Sequence, residues 1–248
     1  MTEGAEAPPR PIWQVAAVLL LGAGLLAGFM ALGIWQVERL AWKRELIARV
    51  DARVSAPAMP WEKAAALPPA EAEYRHVSLT GHFDHDRETL VKAVTELGGG
   101  FWVLTPLTTP EGEVVLINRG FVPAERRDPA TRPEGQVGGG VSLQGLMRLT
   151  EPGGAFLRRN DPAADRWYSR DIAAIATARG LGPVAPVFVD ADATAQPGGV
   201  PVGGLTVIRF RNTHLSYALT WFALAAMVAG GMVILIRHER RLRYSASS

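Results

Sequence analysis

A chain of 248 residues, 48% of them hydrophobic, has room for one sizeable domain plus membrane helices, and its apolar residues concentrate at the two ends. There is no cysteine, which excludes disulfides, thiolate zinc sites, iron–sulfur clusters and cysteine nucleophiles. The net charge of +2, with no long basic patch outside the C-terminal tail, gives no basis for nucleic-acid binding.

Residues 1–11 form a short, polar, proline-containing tail. Its Glu3 and Glu6 argue against a mitochondrial presequence, which is acid-poor. From Ile12 to Ile34 the chain carries no charge. That run exceeds the roughly 7–15 apolar residues of a signal core and no polar cleavage region follows, so residues 12–35 are expected to be an uncleaved transmembrane helix. Small residues recur at four-residue spacing here (Gly24/Gly28, Ala27/Ala31) and in the C-terminal run (Ala225/Ala229, Ala226/Gly230). Such pairs let backbones approach, so the two spans are expected to pack together.

Residues 36–210 read as one domain. Val37–Val50 continues as a helix out of the membrane, with Leu40, Ile47 and Val50 as its apolar stripe. The prolines at 57, 60, 68 and 69 mark a connector. Strands are expected at Tyr74–Thr80, Glu88–Thr95, Phe101–Thr108, Glu113–Arg119, Val141–Leu149, Val187–Asp190 and Leu205–Arg211. The third and fourth pair through the turn Thr109-Pro-Glu-Gly112. Asp128–Gly140 is a Pro/Gly loop. Trp167–Arg179 reads as a helix closed by Gly180. Many strands, one internal helix and no βαβ alternation indicate an antiparallel α+β domain, as a curved sheet or small barrel.

Leu215–Ile236 is again free of charge, which makes residues 211–236 a second transmembrane helix. Residues 237–248 are a basic tail, and Arg237-His-Glu-Arg-Arg-Leu-Arg243 holds that end in the cytoplasm. Two spans put both termini there. Arg39, Lys43 and Arg44 pull the other way, but a long loop crosses largely regardless of charge. The expected fold class is therefore a membrane protein with N- and C-terminal transmembrane helices flanking an α+β, mainly antiparallel β, periplasmic domain. The Ala-, Gly-, Arg- and Pro-rich composition accords with a GC-rich bacterial source.

Conventional catalytic patterns are absent from the sequence. His82-Phe-Asp-His-Asp86 is metal-like in composition, but it sits on an inter-strand turn, where such residues are ordinary. Glu151 and Asp161 lack a partner base or nucleophile. Gly140-Val-Ser-Leu-Gln-Gly145 misses the G-x-S-x-G spacing. Arg119, Arg158, Arg159 and Arg170 either serve a partner surface or pair with Asp128, Asp161 and Asp171, and solvated pairing is the expected reading. By elimination, the central domain reads as non-enzymatic.

The mouth of the second span is different. Arg209, Arg211, Asn212 and His214 precede it, and helical spacing aligns Arg211, His214, Ala218 and Trp221 on one face. Two readings are open: interface anchoring by polar and aromatic residues, or a seat for a flat ligand with anionic tails, such as haem. Gly33-Ile-Trp-Gln36 closes the first span on the same membrane face, so packed helices bring Trp35 and His214 to similar depth. An imidazole there can ligate haem iron, and Arg39, Arg209 or Arg211 can neutralise propionates.

Gly33-Ile-Trp-Gln-Val-Glu-Arg39 with Trp42-Lys43, Asn118-Arg-Gly-Phe-Val-Pro123, Glu151-Pro-Gly-Gly154, Asn160-Asp-Pro162, Trp167-Tyr-Ser-Arg-Asp171 and Asn212-Thr-His-Leu-Ser-Tyr-Ala-Leu-Thr-Trp-Phe222 resemble, in order, the surfeit locus protein one family. The resemblance runs nearly the whole length of the chain. It implies a non-catalytic, two-span protein of the bacterial inner membrane that assists assembly of haem–copper cytochrome c oxidase. It further implies binding of haem a, with His214 as the axial ligand, and delivery into oxidase subunit I, with haem a synthase as a further partner. Trp35, Tyr217 and Trp221 would then wall the ring or bond its edge, and Arg209 or Arg211 would hold propionates. The rivals are a scaffold that stabilises an oxidase intermediate without binding haem, and a metal-binding or enzymatic protein built on His82, His85 and Asp86.

Overall fold

The computed structural model describes residues 10–155, 157–208 and 210–245. It resolves into two compact units, Met1–Ala48 with Arg209–Ser248, and Arg49–Ile208. Helix α1 runs over Ile12–Val54, well past the uncharged segment, as the apolar stripe predicted. Leu40 and Val50 are buried, and Ile47 half-buried.

The connector is more ordered than its prolines suggested. It holds a two-residue strand β1 (Met59–Pro60) and the short helices α2 (Trp61–Ala65) and α3 (Pro69–Ala72). Then come β2 (His76–Phe83), β3 (Thr89–Thr95), β4 (Gly98–Thr108), β5 (Val114–Pro123) and β6 (Gly140–Leu149). The small hairpin β7 (Gly154–Ala155) and β8 (Arg158–Arg159), helix α4 (Ile172–Ala178) and β9 (Val184–Ala191) complete the domain, and α5 covers His214–Ser245.

The sheet order is β1-β2-β6-β9-β5-β4-β3, and β2 also pairs with β4. That extra pairing, His82 with Thr108 and Phe83 with Leu107, closes β2-β6-β9-β5-β4 into a barrel-like circuit. Most pairs are antiparallel; β1–β2 and β5–β9 are parallel. The expected hairpin holds, with Val114 opposite Thr108.

Period-two alternation sorts the strands into two apolar clusters. Val77, Leu79, Leu107, Val115, Ile117, Met147, Val187 and Val189 fill the barrel interior with Trp61. Their neighbours Leu104, Leu116 and Phe188 face outwards, under Trp167, Ile172 and Ile175. Strand β5 is therefore covered on both sides, which is why Val115–Val122 is buried without a break.

Two expected elements differ. The helix predicted from Trp167 begins only at Ile172. The Trp167 carbonyl instead accepts from the Lys92 amide at 2.9 Å, tying the segment to β3. Asp171 then starts the helix, its carboxylate accepting from the Ala174 amide at 3.2 Å. The last expected strand does not form within the described part of Leu205–Arg211. The circuit was already closed by the β2–β4 pairing, and β5 is flanked by β4 and β9.

Candidate functional site in the paired terminal helices

Helices α1 and α5 are each long and apolar enough to cross a membrane, and only 6% of either apolar window is buried. Ile12, Trp13, Leu20, Ile234 and Met227 are between 70% and 74% exposed, a surface suited to lipid rather than water.

What is covered follows a strict rhythm. In α1, as far as Gln36, the shielded positions are Val15, Leu19, Gly22, Leu26, Phe29, Gly33 and Gln36; in α5, as far as Glu239, Phe222, Leu224, Ala229 and Ile236 flank a shielded line of His214, Ala218, Trp221, Ala225, Val228, Met232, Leu235 and Glu239. Steps of four and three alternate throughout, the seven-residue repeat of a left-handed helix pair. Large residues meet small ones across this antiparallel seam. A Cβ added to Gly22 would lie 2.9 Å from Met232 Sδ, and one added to Gly33 would lie 2.5 Å from the Phe222 ring. Phe29 stacks on Trp221 with centroids 5.7 Å apart.

The helices thus pack as expected, but through other residues. Gly24 and Gly28 have nothing within 4 Å of an added Cβ, and Ala27 and Ala31 are exposed. Of the small pairs in α5, Ala225 and Ala229 are shielded while Ala226 and Gly230 face out. Small-residue spacing alone could not tell which stripe meets the partner.

Polar residues sit at the two ends of the seam. At one end Glu239, 4% exposed, accepts from the Arg10 amide at 3.3 Å and lies 3.9 Å from the Arg243 guanidinium. At the other end His214 Nδ1 lies 2.7 Å from Gln36 Oε1. An amide oxygen only accepts, so Nδ1 donates; in the tautomer with its hydrogen on Nδ1 the lone pair is on Nε2. Positions 214 and 239 are about 37 Å apart along a helix, enough to bracket the hydrocarbon core of a bilayer.

The other predicted site residues fall around this pair. Trp221 is half-buried in the seam, and its Nε1 has no acceptor among the described residues; Asn212 Oδ1 likewise has no donor. Trp35 and Tyr217 are 53% and 54% exposed. Each precedes a seam residue by one position, and in an antiparallel pair of right-handed helices those positions fall on the same flank. Arg211 is exposed and makes no ion pair among the described residues. Arg209 lies outside the described residues. Arg39 stacks over Trp42, 4.0 Å from the ring centroid. Sequence reasoning did not give Gln36 a role. The signal was there: it is the one amide in the apolar run from Val15 to Val37, and it falls on the seven-residue repeat.

The β domain offers no competing metal centre among the described residues, where no three His, Asp or Glu donors converge. His85 instead lies 2.9 Å from the Val137 carbonyl through Nε2 and 3.3 Å from the Arg119 guanidinium through Nδ1. The arginines also find partners other than those expected. Asp128 and Asp171 cap short helices, and Arg166 takes Asp161 at 2.5 Å. Arg170 grips Glu151 through two nitrogens and reaches Asp190 at 3.0 Å.

Burial acts to raise the Glu151 carboxyl, but hydrogen bonds and charge from Arg170, with Arg148 behind, outweigh it and hold Glu151 below the usual carboxylate range. A depressed acid contributes stability above its unfolded pKa of about 4.3 and loses it as the pH falls through the native value. The stability gap between wild type and Glu151→Gln is therefore expected to be full at pH 7 and to close below about pH 4. Guanidinium unfolding at a series of pH values measures it; a gap constant down to pH 3 contradicts the pairing.

Comparison with known proteins is unambiguous at the family level. The SURF1 family model matches residues 23–226. Surfeit locus protein 1 of Rattus norvegicus is 40% identical over 211 residues, covering 79% of this chain and 68% of that protein. The Homo sapiens protein of the same name is 40% identical over 212 residues, covering 79% and 69%. A SURF1-like protein of Monosiga brevicollis is 39% identical over 249 residues, covering 90% and 92%. The match begins inside α1 and ends inside α5, so it takes in Gln36, His214 and the whole β domain: this chain belongs to the SURF1 family.

Proposed function

We propose that this protein is a bacterial inner-membrane assembly factor for haem–copper cytochrome c oxidase, which binds haem a at the His214 end of its helix pair and assists its insertion into oxidase subunit I. Both helices cross the bilayer, the basic tail after Ile236 stays cytoplasmic, and the β domain is periplasmic and non-catalytic. Haem a synthase is the donor that suits this position.

The observation that carries the reading is the hydrogen bond from His214 Nδ1 to Gln36 Oε1, at 2.7 Å. A ligating imidazole characteristically donates its other N–H to a fixed acceptor, which sets the tautomer and aims the free nitrogen. The residues present fit the group. His214 supplies a nitrogen for the iron, the unpartnered Trp221 N–H and Asn212 carbonyl supply polar contacts, and Arg211 supplies a cation for propionates. Trp35 and Tyr217 form an exposed aromatic flank for the ring. Haem a, when bound, would bring an iron that takes a nitrogen ligand from His214, and one histidine ligand suits a carrier that must let go.

The test is purification from cells that also make haem a, followed by an absorption spectrum. His214→Ala is expected to lose the haem bands. Gln36→Leu is expected to keep the ligand but lower occupancy, in line with the roughly 10–100-fold cost of losing such an outer partner. An unchanged spectrum in His214→Ala overturns the ligand assignment. If that variant also supports normal oxidase assembly, the scaffold reading takes its place.

A further inference from the structure

At one end of the barrel interior, Arg119 of β5 is 1% exposed. Its Nη1 lies 3.3 Å from His85 Nδ1, and its Nη2 donates to the Gly135 carbonyl and to Gln196 Oε1 at 3.4 Å. The guanidinium carbon lies 4.9 Å over the Phe83 ring. None of these partners is a carboxylate. The nearby Glu88 is gripped by both terminal nitrogens of Arg132, and Arg119 Nε has no partner among the described residues. Burial lowers the Arg119 pKa to about 10; Glu88 acts against that and Arg132 adds to it. A buried cation without a counter-ion is costly, and proteins ordinarily supply one.

Arg119 forms one wall of a cavity of about 230 Å³ at the barrel mouth. The other walls include Phe83, Ile117, Val141, Leu143 and Ala191, with Gln196 beside the guanidinium. Barrel mouths are places where small ligands settle, apolar walls giving affinity and a few polar groups giving orientation. The cavity is smaller than the roughly 300–1,000 Å³ of drug-sized sites, and it is far too small for a porphyrin.

We propose that this cavity binds a short amphipathic carboxylic acid. The carboxylate meets Arg119 and supplies the missing counter-charge, and the hydrocarbon lies against Phe83, Val141 and Leu143. Charge selects the ligand: an alcohol or amine of the same length offers the same apolar surface but leaves the guanidinium unpaired or faces it with a second cation. The site lies wholly within the β domain and does not rest on the haem reading.

The test is calorimetric titration of the full-length chain in lipid nanodiscs with octanoate, 1-octanol and octylammonium, subtracting the heats of empty discs. Octanoate is expected to saturate one site per chain, at least tenfold tighter than either analogue. Arg119→Met is expected to weaken octanoate at least tenfold. Val141→Trp fills the cavity and leaves Arg119 in place, so it is expected to block binding even if the first variant folds poorly. Non-saturable octanoate binding, equal binding of octanoate and octanol, or undiminished binding to Val141→Trp each overturns the proposal.

Discussion

Replacing Asp190 by alanine is expected to destabilise the β domain by about 3–5 kcal/mol, the usual cost of stripping one partner from a buried ionic network. Asp190 is 2% exposed. Its carboxylate accepts from Asn118 Nδ2 at 2.7 Å, Arg148 Nη1 at 2.9 Å and Arg170 Nη1 at 3.0 Å. The sheet builds this arrangement directly: Asn118 stands opposite Asp190 across the parallel β5–β9 pair, and Arg148 lies two residues along β6 from its antiparallel partner Leu146. Removing the carboxylate leaves two guanidinium groups with only the half-exposed Glu151 between them. For a domain of this size the loss corresponds to a melting shift of roughly 10 °C. Guanidinium unfolding of the detergent-solubilised chain, followed by the far-ultraviolet sheet signal, reads it. Arg148→Met is expected to cost much less in the Asp190→Ala background than alone, because the two groups share one interaction. A loss below 1 kcal/mol for Asp190→Ala would show that the network is dispensable.

The second large effect is expected in the helix pair. Gly33→Val introduces a branched side chain where even a Cβ meets the Phe222 ring at 2.5 Å. Overpacking of this kind costs about 1–3 kcal/mol, which forces the helices apart close to Gln36 and His214. At Gly28, only five residues away, an added Cβ meets nothing within 4 Å, and Gly28→Val is expected to be neutral. Because the chain has no cysteine, an engineered Gly22→Cys/Met232→Cys pair reports helix contact cleanly. Its oxidative cross-linking should fall several-fold with Gly33→Val and stay unchanged with Gly28→Val. Equal effects from the two valines would rule out the seam. This readout is independent of haem; on the proposed function, haem a occupancy falls in parallel.

Those two glycines also mark where sequence reasoning stops. The two apolar runs, the β4–β5 hairpin and the loop after Asp128 were legible because each is written locally, in absent charges, in Thr109-Pro-Glu-Gly112 or in clustered Pro and Gly. The choice between Gly28 and Gly33 is not local. It depends on which of two small-residue stripes matches the large residues of a helix 178 positions away, and only the complementary repeat in α5 decides it. Trp167 misled for a related reason: its segment has helical composition but is held extended by β3. The arginines were assigned partners by proximity in sequence, whereas register across β6, β9 and β5 gathers Arg148, Asp190 and Asn118. His214 stood out at once as a rare titratable group at a helix mouth. Gln36, its partner, looked like one more interfacial residue until the pair was seen together.

The polar clasps at the two ends of the seam bear on the order of synthesis. A seam of small residues alone would let one helix slide along the other by a turn. Here, a slip of one repeat would set Gln36 against Trp221 and leave Glu239 without the Arg10 amide. The pair therefore has a single resting register. Since Gln36 emerges from the ribosome 178 residues before His214, the first helix must wait unpartnered through translation of the entire β domain. The His214–Gln36 hydrogen bond is among the last contacts the nascent chain can make, so until the second helix is synthesised the Gln36 amide has no partner across the seam.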